Sequence, residues 1–191
     1  MPTLIVLAMH GVPPNDFPRE ELGEYFRLHA AMEAAHHGAE HVHNGNGRPG
    51  LSPAELESYQ ALDLRIRNWP RNELNDPFYA GSLSLAKALG KQNHHPVLVG
   101  FNEFCAPDLK EAFRQAVNAG ARRVVIITPM MTSGDAPAEL DIPAAVNAAR
   151  EDFPQIEFIY AWPFGRNEVA GFLSAQVECF LAGKLEPAGW R

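Results

Sequence analysis

The sequence predicts an α/β protein: a parallel sheet with helices on both faces and a helical insertion after the first strand. Three observations predict it. Four short apolar segments read as strands, and the first three are nearly continuous apolar runs, the pattern of strands covered on both faces. Helical patterns separate them, and strand–helix alternation at this spacing makes a parallel sheet with right-handed crossovers. The stretch between the first two strands, residues 13–95, is too long for one crossover.

The first strand is TLIVLAM, residues 3–9. A helical pattern follows over 20–37. AEHVHNGNGRPG then reads as a polar, Gly-rich loop. Ser52, Pro53 and Glu55 form a capping box with proline at the first helical position, so a second helix starts there. Residues 77–90 read as the helix that packs back on the sheet and delivers the chain to strand two, PVLVGF (96–101). In 108–119 the apolar positions 109, 112, 113, 116 and 117 make a helical stripe, and Gly120 is a natural stop. RVVIITP (123–129) is strand three. A helix over 139–150 carries Leu140, Ile142, Ala145, Val146 and Ala149. IEFIYAW (156–162) is strand four, and the helix over 168–181 carries Val169, Phe172, Leu173, Val177 and Phe180. The whole reads as one domain, 1–191, with the insertion at about 23–75.

Composition narrows the function. The chain has 191 residues, 46% hydrophobic and 20% charged, which suits a globular protein able to bury a full core. A net charge of −7 argues against nucleic acid, which needs a basic face. It leaves room for an anionic small molecule held by a local basic pocket. Cys105 and Cys179 form no CxxC pair, so neither a zinc knuckle nor a dithiol redox motif is supported. No signal peptide and no membrane-spanning apolar run is visible, so a reduced, cytoplasmic setting is expected.

Chemistry is expected where open parallel sheets place it, outside the carboxyl ends of the strands. Those ends carry His10, then Asn102, Glu103 and Cys105, then residues 130–137, then 163–167. An imidazole and a carboxylate on one edge can hold a divalent metal or act as a base and its orienting partner. Alone, His10 could equally be a hydrogen-bonded structural group, and Glu103 could simply complement a helix dipole. Their expected proximity favours function for both.

Three segments in order, VLAMHG, GFNEFCAPDLKEAFRQAVNAGARRVVIITPMMTSGDAPAELDIPAAV and FPQIEFIYAWPFG, resemble the class II chelatases, above all the sirohydrochlorin cobaltochelatase and ferrochelatase group. The strand-end His-Gly pair is matched by His10-Gly11, the glutamate segment by 103–109, the Gly-Ala-Arg-Arg-Val-Val entry by 120–125, and the Asp-Ile-Pro loop end by Asp141, Ile142 and Pro143. Pro137 falls where the family carries a metal-binding histidine, and Asn167 where relatives often carry another. The resemblance covers His10 and roughly 96–181, and leaves the insertion unexplained.

The resemblance implies a flavodoxin-like chelatase fold and insertion of a divalent metal, cobalt, iron or nickel, into a tetrapyrrole, with the metal as substrate and no organic cofactor. His10 would be base or metal ligand and Glu103 its partner. Asp135 and Glu139 flank Pro137 and could supply oxygen ligands; their ordinary roles are a turn residue and a first-turn helix residue. Arg166 is the expected cationic contact for the carboxylates of the macrocycle, and Met130 and Met131 offer it an apolar floor or are plain packing. The resemblance also implies a homodimer sharing one cleft; the insertion could instead close the cleft of a monomer.

Four histidines, His36, His37, His41 and His43, crowd the insertion, as a second metal site or as a solvated segment. His29 is expected on a helix face, and His94 and His95 on the edge opposite His10. Besides the enzyme, two other readings stand: a binding protein for metal or tetrapyrrole on the same scaffold, and an unrelated hydrolase, which the absence of a G-x-S-x-G motif disfavours.

Overall fold

The computed structural model describes residues 1–40 and 51–184. Four parallel strands, β1 (Thr3–Met9), β2 (Val97–Phe101), β3 (Arg123–Ile127) and β4 (Glu157–Tyr160), form one sheet in the order β2-β1-β3-β4. The helices are α1 (Arg19–Glu40), α2 (Pro53–Arg67), α3 (Pro77–Asn93), α4 (Leu109–Asn118), α5 (Ile142–Asp152) and α6 (Arg166–Leu181). A single π-helical turn, Pro137–Asp141, leads into α5. The α/β class, the parallel sheet and the helices on both faces are as the sequence predicts. The long loop expected before Ser52 lies outside the described residues.

β1 is central. Ile5 pairs with Val97 on one side and Val125 on the other. Its alternation sorts side chains to two cores. Leu4, Val6 and Ala8 meet Val124, Ile126 and Phe158 under α4 and α5, where Ala112, Phe113, Ala116, Ile142 and Val146 are buried. Fully burying each large apolar side chain contributes about 1.5–3 kcal/mol. On the other face Leu7, Met9, Val99 and Phe101 pack against Ala86 of α3. α3 lies over β2 and β1. Ile159, in the same row as Ile5 and Val125, stays 37% exposed on β4.

Local signals set the helix starts. Ser52 accepts from the Glu55 amide while the Glu55 carboxylate accepts from the Ser52 amide, so the capping box forms as read. Asp108 caps α4 and Asp76 caps α3, accepting from the Glu111 and Tyr79 amides at 2.7 and 2.8 Å. α1 and α2 form a third core at the carboxyl edge, where Tyr25 and Ile66 are buried with Phe17, which follows β1, and Phe104, which follows β2. His29 Nδ1 lies 3.1 Å from the Tyr59 hydroxyl between those helices. The histidine cluster of the connection falls outside the described side chains. α6 differs from the other helices: it buries no residue, and Phe172, Leu173 and Val177 are more than half exposed. No helix among the described residues is long and apolar enough to cross a membrane.

Candidate active site

The carboxyl ends of β1 and β2 bring two of the predicted residues together. His10 Nδ1 lies 3.3 Å from Glu103 Oε2, with the imidazole 48% and the carboxylate 29% exposed. The loops that carry them are stitched by the backbone: the Asn102 amide donates to the Met9 carbonyl and the Glu103 amide to the His10 carbonyl, both at 2.8 Å. Gly11 makes this approach possible. Its φ is +98°, and a Cβ there would sit 1.9 Å from the Glu103 carbonyl oxygen. With a proton on Nδ1 directed at the carboxylate, the imidazole keeps its lone pair on Nε2, available to a metal or a proton.

A cavity of about 380 Å³ opens beside the pair, lined by His10, Val12, Pro13, Phe26, Phe78 and Phe104. Phe26 and Phe104 meet edge to face, with centroids 6.0 Å apart. These three aromatic rings come from α1, α3 and the β2 loop, and sequence reasoning missed them as a group. Each reads locally as one more core position of its own helix or strand end.

The remaining candidates lie elsewhere on the edge. Arg166 and Met131 share a separate cavity of about 480 Å³ with Thr132, Ser133 and Phe164. Met130 packs half-buried against the α4–α5 core, and its carbonyl accepts from Trp162 Nε1 at 3.1 Å. Glu139 turns back on its own loop, accepting from the Gly134 amide at 2.8 Å. Asp135 lies toward Tyr160: burial first, then the Asp135 charge, pushes that phenol up to about 12. Among the described residues no three His, Cys, Asp or Glu side chains stand close enough to hold a metal. His10, Glu103, Asp135 and Glu139 therefore do not form one ligand set in this conformation. Asn102 links the two regions: its side-chain Nδ2 donates to the Asp141 carboxylate at 3.0 Å. Cys105 is buried 3.7 Å from the Val12 carbonyl; burial pushes its thiol up, away from thiolate chemistry.

A parallel sheet with an imidazole–carboxylate pair and an aromatic cavity at its carboxyl edge defines a small-molecule site of the acid–base or metal-handling kind. Comparison with known proteins gives the family. The CbiX family model matches residues 79–178. The chain belongs to the CbiX family. Over 70 residues, 37% of the chain, it is 34% identical to a sirohydrochlorin ferrochelatase and 36% identical to a sirohydrochlorin cobaltochelatase, both from Priestia megaterium. The matches span 26% and 22% of those proteins, about a quarter of their length. Among solved structures, the sirohydrochlorin chelatase SirB from Bacillus subtilis subspecies spizizenii in complex with cobalt aligns with a TM-score of 0.43 and 17% identity, over 93% of this chain and 50% of that one. A putative cobalamin biosynthesis CbiX protein from Marinobacter aquaeolei VT8 aligns with a TM-score of 0.43 and 14% identity, over 96% of this chain and all of that one.

Proposed function

We propose that the chain is a tetrapyrrole metallochelatase that inserts a divalent metal, cobalt or iron, into sirohydrochlorin or a related macrocycle. The observation that carries the reading is the His10–Glu103 contact at the carboxyl edge, open to solvent and bordered by an aromatic cavity, in a CbiX-family chain.

Insertion requires removal of two pyrrole protons, a metal presented with exchangeable ligands, and a macrocycle held in place. His10 takes the two pyrrole protons in turn on Nε2 and passes each to solvent through its exposed edge, or offers that nitrogen to the incoming metal. Glu103 holds the Nδ1 proton and stabilises the imidazolium. The flat apolar face of the macrocycle rests on Phe26, Phe78 and Phe104. Its peripheral carboxylates reach toward Arg166, the exposed cation of the neighbouring cavity. Asp135 and Glu139 would join the metal only after the 132–139 loop rearranges.

Two copies of the chain would complete the cleft. The exposed apolar stripe of α6 and the open row at Ile159 support that pairing.

The test is anaerobic absorbance of sirohydrochlorin with cobalt, comparing the protein, His10→Ala and Glu103→Gln. Wild type should accelerate the spectral change, and each variant should lose at least 10-fold of that acceleration. Equal rates for all three and for buffer, with a spectrum that still shifts on binding, would make the chain a binding protein instead.

A further inference from the structure

We propose that the buried Arg71–Asp76 ion pair positions the His10–Glu103 pair, which makes Arg71 a positioning residue of this site. The inference rests on the reading that His10 and Glu103 act together.

Arg71 lies in the polar stretch between α2 and α3, yet its side chain is 4% exposed and that of Asp76 is 0% exposed. The guanidinium pairs with Asp76 and donates to three carbonyls: Val12 at 3.0 Å, Ile66 at 3.0 Å, and Phe104. Val12 is two residues beyond His10, and Phe104 is the residue after Glu103. One side chain thus grips both loops that carry the pair. Asp76 anchors that grip to the scaffold, because its other oxygen caps α3 at the Tyr79 amide.

Phe104 shows what the grip holds. Its φ is +55°, a left-handed conformation that is unusual for a bulky aromatic and persists only where the surroundings impose it. The Phe104 carbonyl that Arg71 binds belongs to this residue. Its conformation orients the chain leaving Glu103.

Arginine suits the task because its planar fork presents donors in fixed directions to several acceptors, which a lysine ammonium does not. Burying an ion pair is not by itself stabilising relative to apolar residues of similar size. What distinguishes this pair is its spread over the loops of β1 and β2, the end of α2 and the start of α3.

The experiment is nitrogen-15 NMR of histidine-labelled protein above the ordinary imidazole titration range, with His10→Ala assigning the resonance. Wild type should show His10 protonated on Nδ1, the tautomer that donates to Glu103. Arg71→Lys and Asp76→Asn should shift His10 toward the Nε2-protonated form of unconstrained histidine. They should also weaken cobalt(II) binding, titrated with the metal alone, by about 10-fold or more. Circular dichroism establishes that each variant is folded. Should a single variant fail to fold, Arg71→Met with Asp76→Leu removes both charges together and carries the same measurement.

Folded variants that keep the wild-type tautomer and cobalt affinity overturn the proposal. A wild type without the Nδ1 proton overturns the His10–Glu103 pairing beneath it. Absence of chelatase turnover alongside the expected tautomer shift would sink the proposed reaction and leave the positioning role of Arg71 standing.

Discussion

Gly11 and Glu103 touch through their backbones so closely that no side chain fits between them: a Cβ on Gly11 would lie 1.9 Å from the Glu103 carbonyl oxygen. The contact places the residue after His10 against the residue that faces its imidazole. Gly11→Ala adds that clash to an unfavourable φ of +98°. The expected outcome is destabilisation by roughly 2 kcal/mol or more, read from urea denaturation, and loss of cobalt insertion into sirohydrochlorin in whatever fraction stays folded. Full activity in Gly11→Ala would mean that the two loops need not meet.

Phe26 stands 44% exposed at the cavity beside His10, where its ring can meet the face of a bound macrocycle. Phe26→Ala should weaken binding of the metal-free macrocycle about 5-fold, from roughly 1 kcal/mol of lost ring contact. The rate at saturating macrocycle should change little, because Phe26 touches neither His10–Glu103 chemistry nor the metal. Fluorescence titration of sirohydrochlorin against both proteins measures the difference.

The exposed stripe of α6 gives a prediction about assembly. Phe172 and Leu173 are 59% and 55% exposed on a helix that buries nothing of its own. In sedimentation velocity the wild type should run as a dimer, and Phe172→Glu with Leu173→Glu should run as a monomer. Identical sedimentation of the two would remove α6 from the interface.

Asp16 predicts an acid-sensitive joint. Its carboxylate accepts from Trp69 Nε1 at 2.9 Å and from Asn75 Nδ2 at 3.1 and 3.2 Å. The Asn75 hydrogen bond above all holds its pKa below the ordinary 3.8. A carboxyl depressed by folding stabilises the native state fully above its unfolded value, and that contribution disappears as pH falls through the lower native value. Trp69 fluorescence should therefore stay constant down to about pH 4 and change below it. Asp16→Asn should remove that step; an unchanged step would assign it to another group.

Much of the fold was legible because its signals are local. Continuous apolar runs marked β1 to β3, and Ser52 with Glu55 marked the start of α2. His10 and Glu103 were legible as a pair because parallel strands share one carboxyl edge, and residues ending adjacent strands must be neighbours. The division of the other candidates was not legible. Arg166 and Met131 sit on the same edge as His10 but in a different cavity, and the backward turn of Glu139 onto Gly134 depends on the π-helical turn, which no short-range pattern announces. Arg71 was invisible for a different reason: RNELND reads as a solvated polar segment, and the partners that enclose its guanidinium include Val12 and Phe104, both distant in sequence.

The central place of β1 also governs when the site can exist. Ile5 must wait for Val97 and then Val125 before its strand is paired on both sides. During synthesis the apolar segment that leads into His10 is made before α1, α2 and α3, and its first partner, β2, follows only after them. Contacts this distant in sequence slow folding and lengthen the exposure of unpaired strand. The nascent chain should be most dependent on chaperones over that interval, and a truncation ending before β3 should aggregate rather than hold a partial site.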